Sequence, residues 1–309
     1  MALALVSKFE NLDLWRRTMA AEIPGVDVRV WPNLGDTAQI RMAAFDHKPP
    51  LGTFAAMPNL GCIVYLGHGA NDLVQRPDLP KGVPVMRLKD PGIIACMTEY
   101  VLMYVIGHRR FAERYRRYQA EQRWQEDTPP FPSEVRLAIL GLGSIGQRFA
   151  EVFVGLGYKV SGWARGAHQL PGVDCYHGRD QLGACLAAAD YVVCILPETR
   201  ETRDIIDART LALMKRGAYF INVGRGPLVV EEDLLAALDS GQLSGATLDV
   251  FRTEPLPAHS RLWTHPNVVV TPHSAGVGQQ GSRPHIAENY RRLLEGRPLI
   301  NIVDPSRGY

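Results

Sequence analysis

The chain has 309 residues, 46% of them apolar and 21% charged, with a formal net charge of +2. That length accommodates two domains of ordinary size, each with its own core, and near-neutrality gives no footing for a nucleic-acid or membrane-surface partner. The five cysteines (Cys62, Cys96, Cys175, Cys185, Cys194) are odd in number and lack C-x-x-C spacing, so they read as reduced residues of a cytoplasmic protein. Lys8, Glu10 and Asp13 interrupt the first apolar run, so no signal peptide is expected. No apolar stretch reaches the roughly 18 residues of a membrane span.

In chain order, strand-like runs come first at 3–6, 26–31, 39–45, 62–66 and 83–88. A helical pattern then extends over 97–125, which at 1.5 Å per residue spans roughly 40 Å. Its arginines (Arg109, Arg110, Arg114, Arg116, Arg117) alternate with Phe111, Tyr115 and Tyr118 at helical spacing, the pattern of a solvated helix with one buried face. Asp127-Thr128-Pro129-Pro130-Phe131-Pro132 ends it. Strand-like runs resume at 135–140, 158–163, 191–196, 218–223, 246–250 and 268–271, followed by a second helical pattern at 284–294 and a strand-like tail at 299–303. Strands alternating with helices imply parallel sheets, and the two sets of strands imply two doubly wound α/β domains joined by two crossing helices. The boundaries expected are 1–98 with 278–309 for the first domain and 99–277 for the second.

The run 135–140 passes directly into Gly141-Leu142-Gly143-Ser144-Ile145-Gly146 and then a helical pattern, the strand–loop–helix context in which G-x-G-x-x-G signifies a dinucleotide site. The first glycine permits the tight turn, the second lets the backbone approach a pyrophosphate, and the third lets the helix pack on the strand. The helix N-terminus then faces the phosphates with free N–H groups and a positive dipole end. About 20 residues on, where an acid would bind the ribose of NAD, stands Trp163-Ala164-Arg165-Gly166-Ala167-His168. An arginine there suits a 2′-phosphate, so NADP(H) is preferred and NAD(H) possible. Three later strands end in polar residues, at Gly224-Arg225-Gly226, Asp249 to Pro255, and Thr271-Pro272-His273, where open parallel sheets bind ligands. The histidines are spaced and distributed unlike metal ligands, no cysteine cluster occurs, and no G-x-S-x-G nucleophile motif is present, so no metal is expected.

These motifs together resemble the D-isomer-specific 2-hydroxyacid dehydrogenase family, and within it the glyoxylate/hydroxypyruvate reductase A-like branch. The resemblance runs from Gly141 through Leu196-Pro197-Glu198-Thr199 and Arg225-Gly226 to His273, and is looser over residues 1–90. It implies a Rossmann cofactor domain and a flavodoxin-like substrate domain, with Arg225, Glu254 and His273 as the catalytic residues. Protonated His273 is then the general acid in reduction, Glu254 favours the imidazolium and orients the ring, and Arg225 anchors the carboxylate and polarises the carbonyl. The resemblance also carries cofactor contacts onto Gly141, Gly143, Ser144, Ile145, Gly146, Trp163, Arg165, Leu196, Pro197, Thr202, Val223, Gly224 and Asp249, the last toward the nicotinamide carboxamide.

On the substrate side, Gly67-His68-Gly69-Ala70-Asn71-Asp72 resembles the loop whose N–H groups hold the substrate carboxylate, which assigns that role to Gly69 and Ala70; His68, Ala70 and Asn71 depart from the usual family residues. Phe45 falls where this branch places an aromatic over the substrate, or is an ordinary core residue. The expectation is an NADPH-preferring reductase of small 2-oxo acids, glyoxylate and hydroxypyruvate foremost, acting as a homodimer. The alternatives are another D-2-hydroxyacid dehydrogenase, acting on pyruvate or a larger 2-oxo acid, and a non-enzymatic dinucleotide sensor. Glu254 argues against formate, whose enzymes carry glutamine there.

Overall fold

The computed structural model of the chain describes every residue except 7–11, 46–49, 67–76, 88–90, 277–282 and 304–309. It forms two units, Met1–Ile93 with Gly278–Tyr309, and Ile94–Val277, so the first division falls somewhat before residue 98.

The first unit holds β1 (Ala2–Val6), α1 (Leu12–Glu22), β2 (Asp27–Val30), β3 (Ile40–Phe45), β4 (Cys62–Tyr65) and β5 (Val85–Arg87). Its five strands are all parallel, in the order β2-β1-β3-β4-β5. β1 is buried on both faces: Ala2, Ala4 and Val6 enter one apolar cluster while Leu3 and Leu5 enter another. Two-sided burial is what an uninterrupted apolar strand requires. The tail rejoins this sheet, Ile302 bridging Met86 antiparallel and the Val303 N–H donating to Val85 O at 2.8 Å. Fully buried Asn289 fixes that return by accepting from the Ile300 N–H at 2.8 Å.

The second unit contains nearly all of α2 (Pro91–Arg109), then α3 (Ala112–Ala120), β6 (Arg136–Leu140), α4 (Ser144–Gly155), β7 (Lys159–Ala164), β8 (Val173–His177), α5 (Leu182–Leu186), β9 (Tyr191–Cys194), α6 (Ala208–Leu213), β10 (Ala218–Asn222), α7 (Glu231–Asp239), β11 (Leu243–Leu248) and β12 (Val268–Val270). Its strands are parallel in the order β12-β11-β10-β9-β6-β7-β8, so the sheet reverses direction of growth between β6 and β9. α4 forms because Gly146, Phe149, Ala150 and Phe153 recur on one face and bury together. In the first unit α8 (Arg283–Leu294) does the same with Ile286, Ala287 and Tyr290.

Four elements differ from expectation, the first being the strand-like tail at 299–303, which makes an isolated bridge at Ile302 and no strand. The helical pattern at 97–125 is two helices, α2 and α3, parted at Phe111, whose φ of 61° is left-handed. No glycine or proline marks the break. It follows from tertiary bonds at the end of α2, where His108 Nδ1 meets the Tyr191 hydroxyl at 2.8 Å and Arg109 donates to the Tyr158 hydroxyl at 2.9 Å and to Pro130 O at 2.7 Å. β11 begins at Leu243, before residue 246, because Gly245 is part of the strand: a Cβ there would lie 2.7 Å from the Tyr219 ring. β8 has no counterpart among the predicted strands, since this edge strand is half-exposed and shows no clear alternation.

Candidate active site

The seven strands of the second unit end in register. Tyr176, Trp163, Leu140, Cys194, Asn222, Leu248 and Val270 pair in sequence across the sheet and form a single row. Beyond that row the N–H groups of Gly141, Ile195, Val223, Asp249 and Thr271 each donate back to the adjacent strand end at 2.8–3.1 Å. The polar segments singled out in the sequence therefore leave the sheet at one level, at its carboxyl edge, where such sheets bind ligands, on the β9 side of the reversal of strand order.

Arg225 leads a short turn after β10. Asn222, completely buried, shapes that turn: its Oδ1 accepts from the Gly224 N–H and its Nδ2 donates to Arg225 O, both at 3.1 Å. Gly226 must be glycine, because a Cβ would lie 1.9 Å from the Phe251 carbonyl carbon and oxygen. That contact packs the turn carrying Arg225 directly on the segment that leads to Glu254. Arg252 reinforces it, donating to Val229 O at 2.6 Å and pairing with Asp204, while its N–H donates to Glu231.

His273 Nδ1 lies 2.8 Å from Glu254 Oε2, and Glu254 Oε1 accepts from the Phe251 N–H at 3.0 Å. Burial raises the Glu254 pKa, but the hydrogen bonds from His273 and Phe251 and the charges of His273 and Arg225 outweigh it. The net pKa is below the ordinary carboxylate value, so Glu254 is ionised at neutral pH and accepts from Nδ1–H. His273 itself has φ 53°, a conformation a side chain rarely adopts, and its N–H donates to Asp249 O at 2.8 Å.

Asp249 is 1% exposed and its carboxylate is occupied by the loop after β12. Oδ1 accepts from the Thr271 hydroxyl at 2.6 Å and the Ser274 N–H at 2.8 Å, with the Ser274 hydroxyl at 3.5 Å, and Oδ2 accepts from the Ala275 N–H at 2.9 Å.

The glycine loop has the form a dinucleotide needs. Gly141 has φ 113° and Gly146 would clash with Gly141 O at 1.8 Å if it bore a Cβ, whereas a Cβ on Gly143 would meet nothing within 4 Å. Open space at the N-cap of α4, which no side chain caps, is a cradle that fits a phosphate. Ser144 is exposed and Ile145 half-exposed beside it. Leu196 is buried, and the Thr202 hydroxyl donates to Pro197 O at 2.7 Å, closing the turn after β9. Val223 and Gly224 are buried at the same edge. Arg165 and His168 are exposed beyond β7, with Glu201 3.9 Å from Arg165. Trp163 is at the row's level, but its indole lies in the core and donates to Gly178 O at 2.7 Å.

On the substrate side, Gly69 and Ala70 lie outside the described residues. Phe45 belongs to the first unit, 1% exposed, with ring centroids 5.2 Å from Phe54 and 5.4 Å from Tyr65, so its ring is core. Asn222, Arg252 and Thr271 fall in the polar strand ends but carried no expected role, and Tyr100, whose hydroxyl lies 2.5 Å from that of Thr271, was not among the candidates. An asparagine closing the apolar strand Ala218–Asn222 was a legible signal; Tyr100 offered none, being remote in sequence. Among the described residues no His, Cys, Asp and Glu group could hold a metal, and no helix is long and apolar enough to cross a membrane.

Residues 102–275 match the family model for the D-isomer specific 2-hydroxyacid dehydrogenase, NAD binding domain. Glyoxylate/hydroxypyruvate reductase A of Photorhabdus laumondii is 35% identical, with all of both chains covered. A D-isomer specific 2-hydroxyacid dehydrogenase from Xanthobacter autotrophicus, solved with NADPH and MES, is 44% identical with a TM-score of 0.91, over 100% of this chain and 99% of that one. The NADPH-dependent glyoxylate/hydroxypyruvate reductase of Sinorhizobium meliloti, solved with NADP and sulfate, is 33% identical with a TM-score of 0.89, over 100% of both.

Proposed function

The chain belongs to the D-isomer specific 2-hydroxyacid dehydrogenase family, and from that membership we propose that it is an NADPH-preferring reductase converting glyoxylate to glycolate and hydroxypyruvate to D-glycerate. The observation that carries the reading is the 2.8 Å contact between His273 and an ionised Glu254, on the sheet edge that also presents Arg225. The relatives named for these two substrates, and the NADP and NADPH held by the solved relatives, support the choice of substrate and cofactor.

Gly141, Gly143, Ser144, Ile145 and Gly146 would hold the pyrophosphate, and Arg165 with His168 the 2′-phosphate. Bound there, the cofactor supplies the hydride. Arg225 presents a fork of donors to the substrate carboxylate and carbonyl oxygen, orienting the acid and drawing charge toward the oxygen. His273 gives its Nε2 proton to that oxygen, while Glu254 accepts from Nδ1–H and orients the ring. In the reverse direction the same tautomer leaves Nε2 free to accept the hydroxyl proton. The resemblance gives Gly69 and Ala70 N–H groups for a substrate carboxylate, and both lie outside the described residues. The unpaired cysteines agree with a cytoplasmic protein, and the assembly is a homodimer.

Following NADPH absorbance with glyoxylate, hydroxypyruvate, pyruvate and larger 2-oxo acids, in parallel with NADH, tests the reading. Turnover highest with the first two acids and with NADPH is the expected result. No turnover of any 2-oxo acid would overturn it.

A further inference from the structure

We propose that Tyr100 and Thr271 are positioning residues that hold His273 for proton transfer by orienting the buried Asp249 carboxylate. The proposal rests on His273 being the general acid, and concerns how that residue is kept in place.

The buried Asp249 carboxylate accepts from neutral donors of the loop containing His273: the Thr271 hydroxyl and the N–H groups of Ser274 and Ala275, with the Ser274 hydroxyl at 3.5 Å. Its own carbonyl oxygen takes the His273 N–H. One residue thus gathers the N–H groups of three consecutive residues, two on its carboxylate and one on its main chain. His273 sits within this grip at a left-handed φ of 53°, which a histidine keeps only when its surroundings over-determine it.

The direction of the hydroxyl chain follows from proton counting. Thr271 has one hydroxyl proton and donates it to Asp249 Oδ1 at 2.6 Å. Toward Tyr100, 2.5 Å away, it can only accept, so the chain runs from Tyr100 to Thr271 to Asp249. Burial raises the Tyr100 pKa, so the phenol stays a donor at neutral pH. Tyr100 stands on α2 and its ring packs against Tyr104 at 4.8 Å, so the chain ends on a helix rather than on another loop. The three hydroxyl and carboxylate groups are therefore a strut from that helix to the catalytic loop. With Thr271 bonded, Oδ1 is set to receive Ser274 and Oδ2 to receive Ala275. Without it the carboxylate is held by the Ser274 and Ala275 donors alone, with no tie to the helix, and the grip on the left-handed His273 loosens. Oδ2 accepts one bond and has capacity for a second, so an additional contact to a bound nicotinamide is compatible with the strut.

The test is a double-mutant cycle in the full chain, with NADPH and glyoxylate, accompanied by amide hydrogen exchange of Ser274 and Ala275 without substrate. Tyr100→Phe should lower kcat by about fivefold and Thr271→Val by about 30-fold, the scale of one and of several buried hydrogen bonds, with the Kd for NADPH within about twofold of wild type. Because Tyr100 acts through Thr271, the double variant should be no slower than Thr271→Val alone. Thr271→Ser, which keeps the hydroxyl, should recover kcat to within about threefold. The Ser274 and Ala275 amides should exchange about tenfold faster in Thr271→Val. Losses that multiply in the double variant, losses confined to NADPH affinity, or unchanged exchange would overturn the proposal. Should Thr271→Val fail to fold, Tyr100→Phe must still raise exchange and lower kcat together, or the strut is refuted. A wild type that reduces no 2-oxo acid refutes the reductase reading, and exchange then decides the strut by itself.

Discussion

At the scale of single residues, Glu254 joins charge to geometry: its Oε1 holds the Phe251 N–H while its Oε2 faces His273. Glu254→Gln preserves the first bond by presenting its amide oxygen to Phe251, which turns its NH2 toward Nδ1. A protonated Nδ1 then meets a donor, so the imidazolium is disfavoured and the neutral ring places its proton on Nε2. The kcat for reduction at neutral pH should fall by about 10²–10³, near the loss from His273→Ala. Turnover of the two variants checks this, and wild-type kcat in Glu254→Gln refutes the dyad. The lowered Glu254 pKa has a second consequence. Its contribution to folding is present above the ordinary carboxylate value and disappears as pH falls through the lower folded value, so acid unfolding of the variant should begin less steeply. Arg165 carries the cofactor choice. Arg165→Ala should raise the KM for NADPH by about tenfold and change that for NADH little, since only the former has a 2′-phosphate for the guanidinium to meet. Equal losses with both cofactors would refute it.

At the scale of elements, the loops at the sheet edge divide into those packed by necessity and those left open. A methyl at Gly226 collides with the Phe251 backbone, whereas one at Gly143 meets no protein atom. Gly226→Ala should therefore destabilise the fold by about 1–3 kcal/mol and disturb the Arg225 and Glu254 segments together. Gly143→Ala should leave the melting temperature nearly unchanged and weaken NADPH binding at least about tenfold, because its methyl occupies the phosphate cradle. Thermal melts and NADPH titrations of the two variants separate these outcomes, and Gly143→Ala binding NADPH as wild type does would refute the cradle. The break between α2 and α3 belongs to this scale too. Arg114 stacks over the Phe111 ring at 4.4 Å, and Tyr118 is buried while Tyr115 and Phe111 remain partly exposed, so the aromatic stripe is only partly covered within one chain.

At the scale of the whole molecule, Trp124 is fully exposed, and Met103 and Phe131 are more than half exposed in the same unit. A tryptophan in that state is unusual in a monomer and suits an isologous contact with a second copy. Light scattering at micromolar concentration should give about twice the 34.2 kDa of one chain. Trp124→Glu should shift the mass toward the monomer, since an interface core excludes a lone charge. A monomeric wild type would refute the dimer.

The sequence by itself determined the elements whose pattern is local. The glycine loop, the buried strands such as Ala2–Val6, and the polar residues ending β10, β11 and β12 are legible because turn chemistry and two-sided burial are written in adjacent residues. Arg225, Glu254 and His273 were legible as motifs, and the family resemblance already set Glu254 against His273, as the 2.8 Å contact has it. Only the tertiary structure decided the end of α2 at Arg109, the strand character of Gly245, and the partnership of Tyr100 with Thr271. Each depends on groups distant in the chain, joined by hydrogen bonds whose partners are fixed only when the parallel strands lock into a common register.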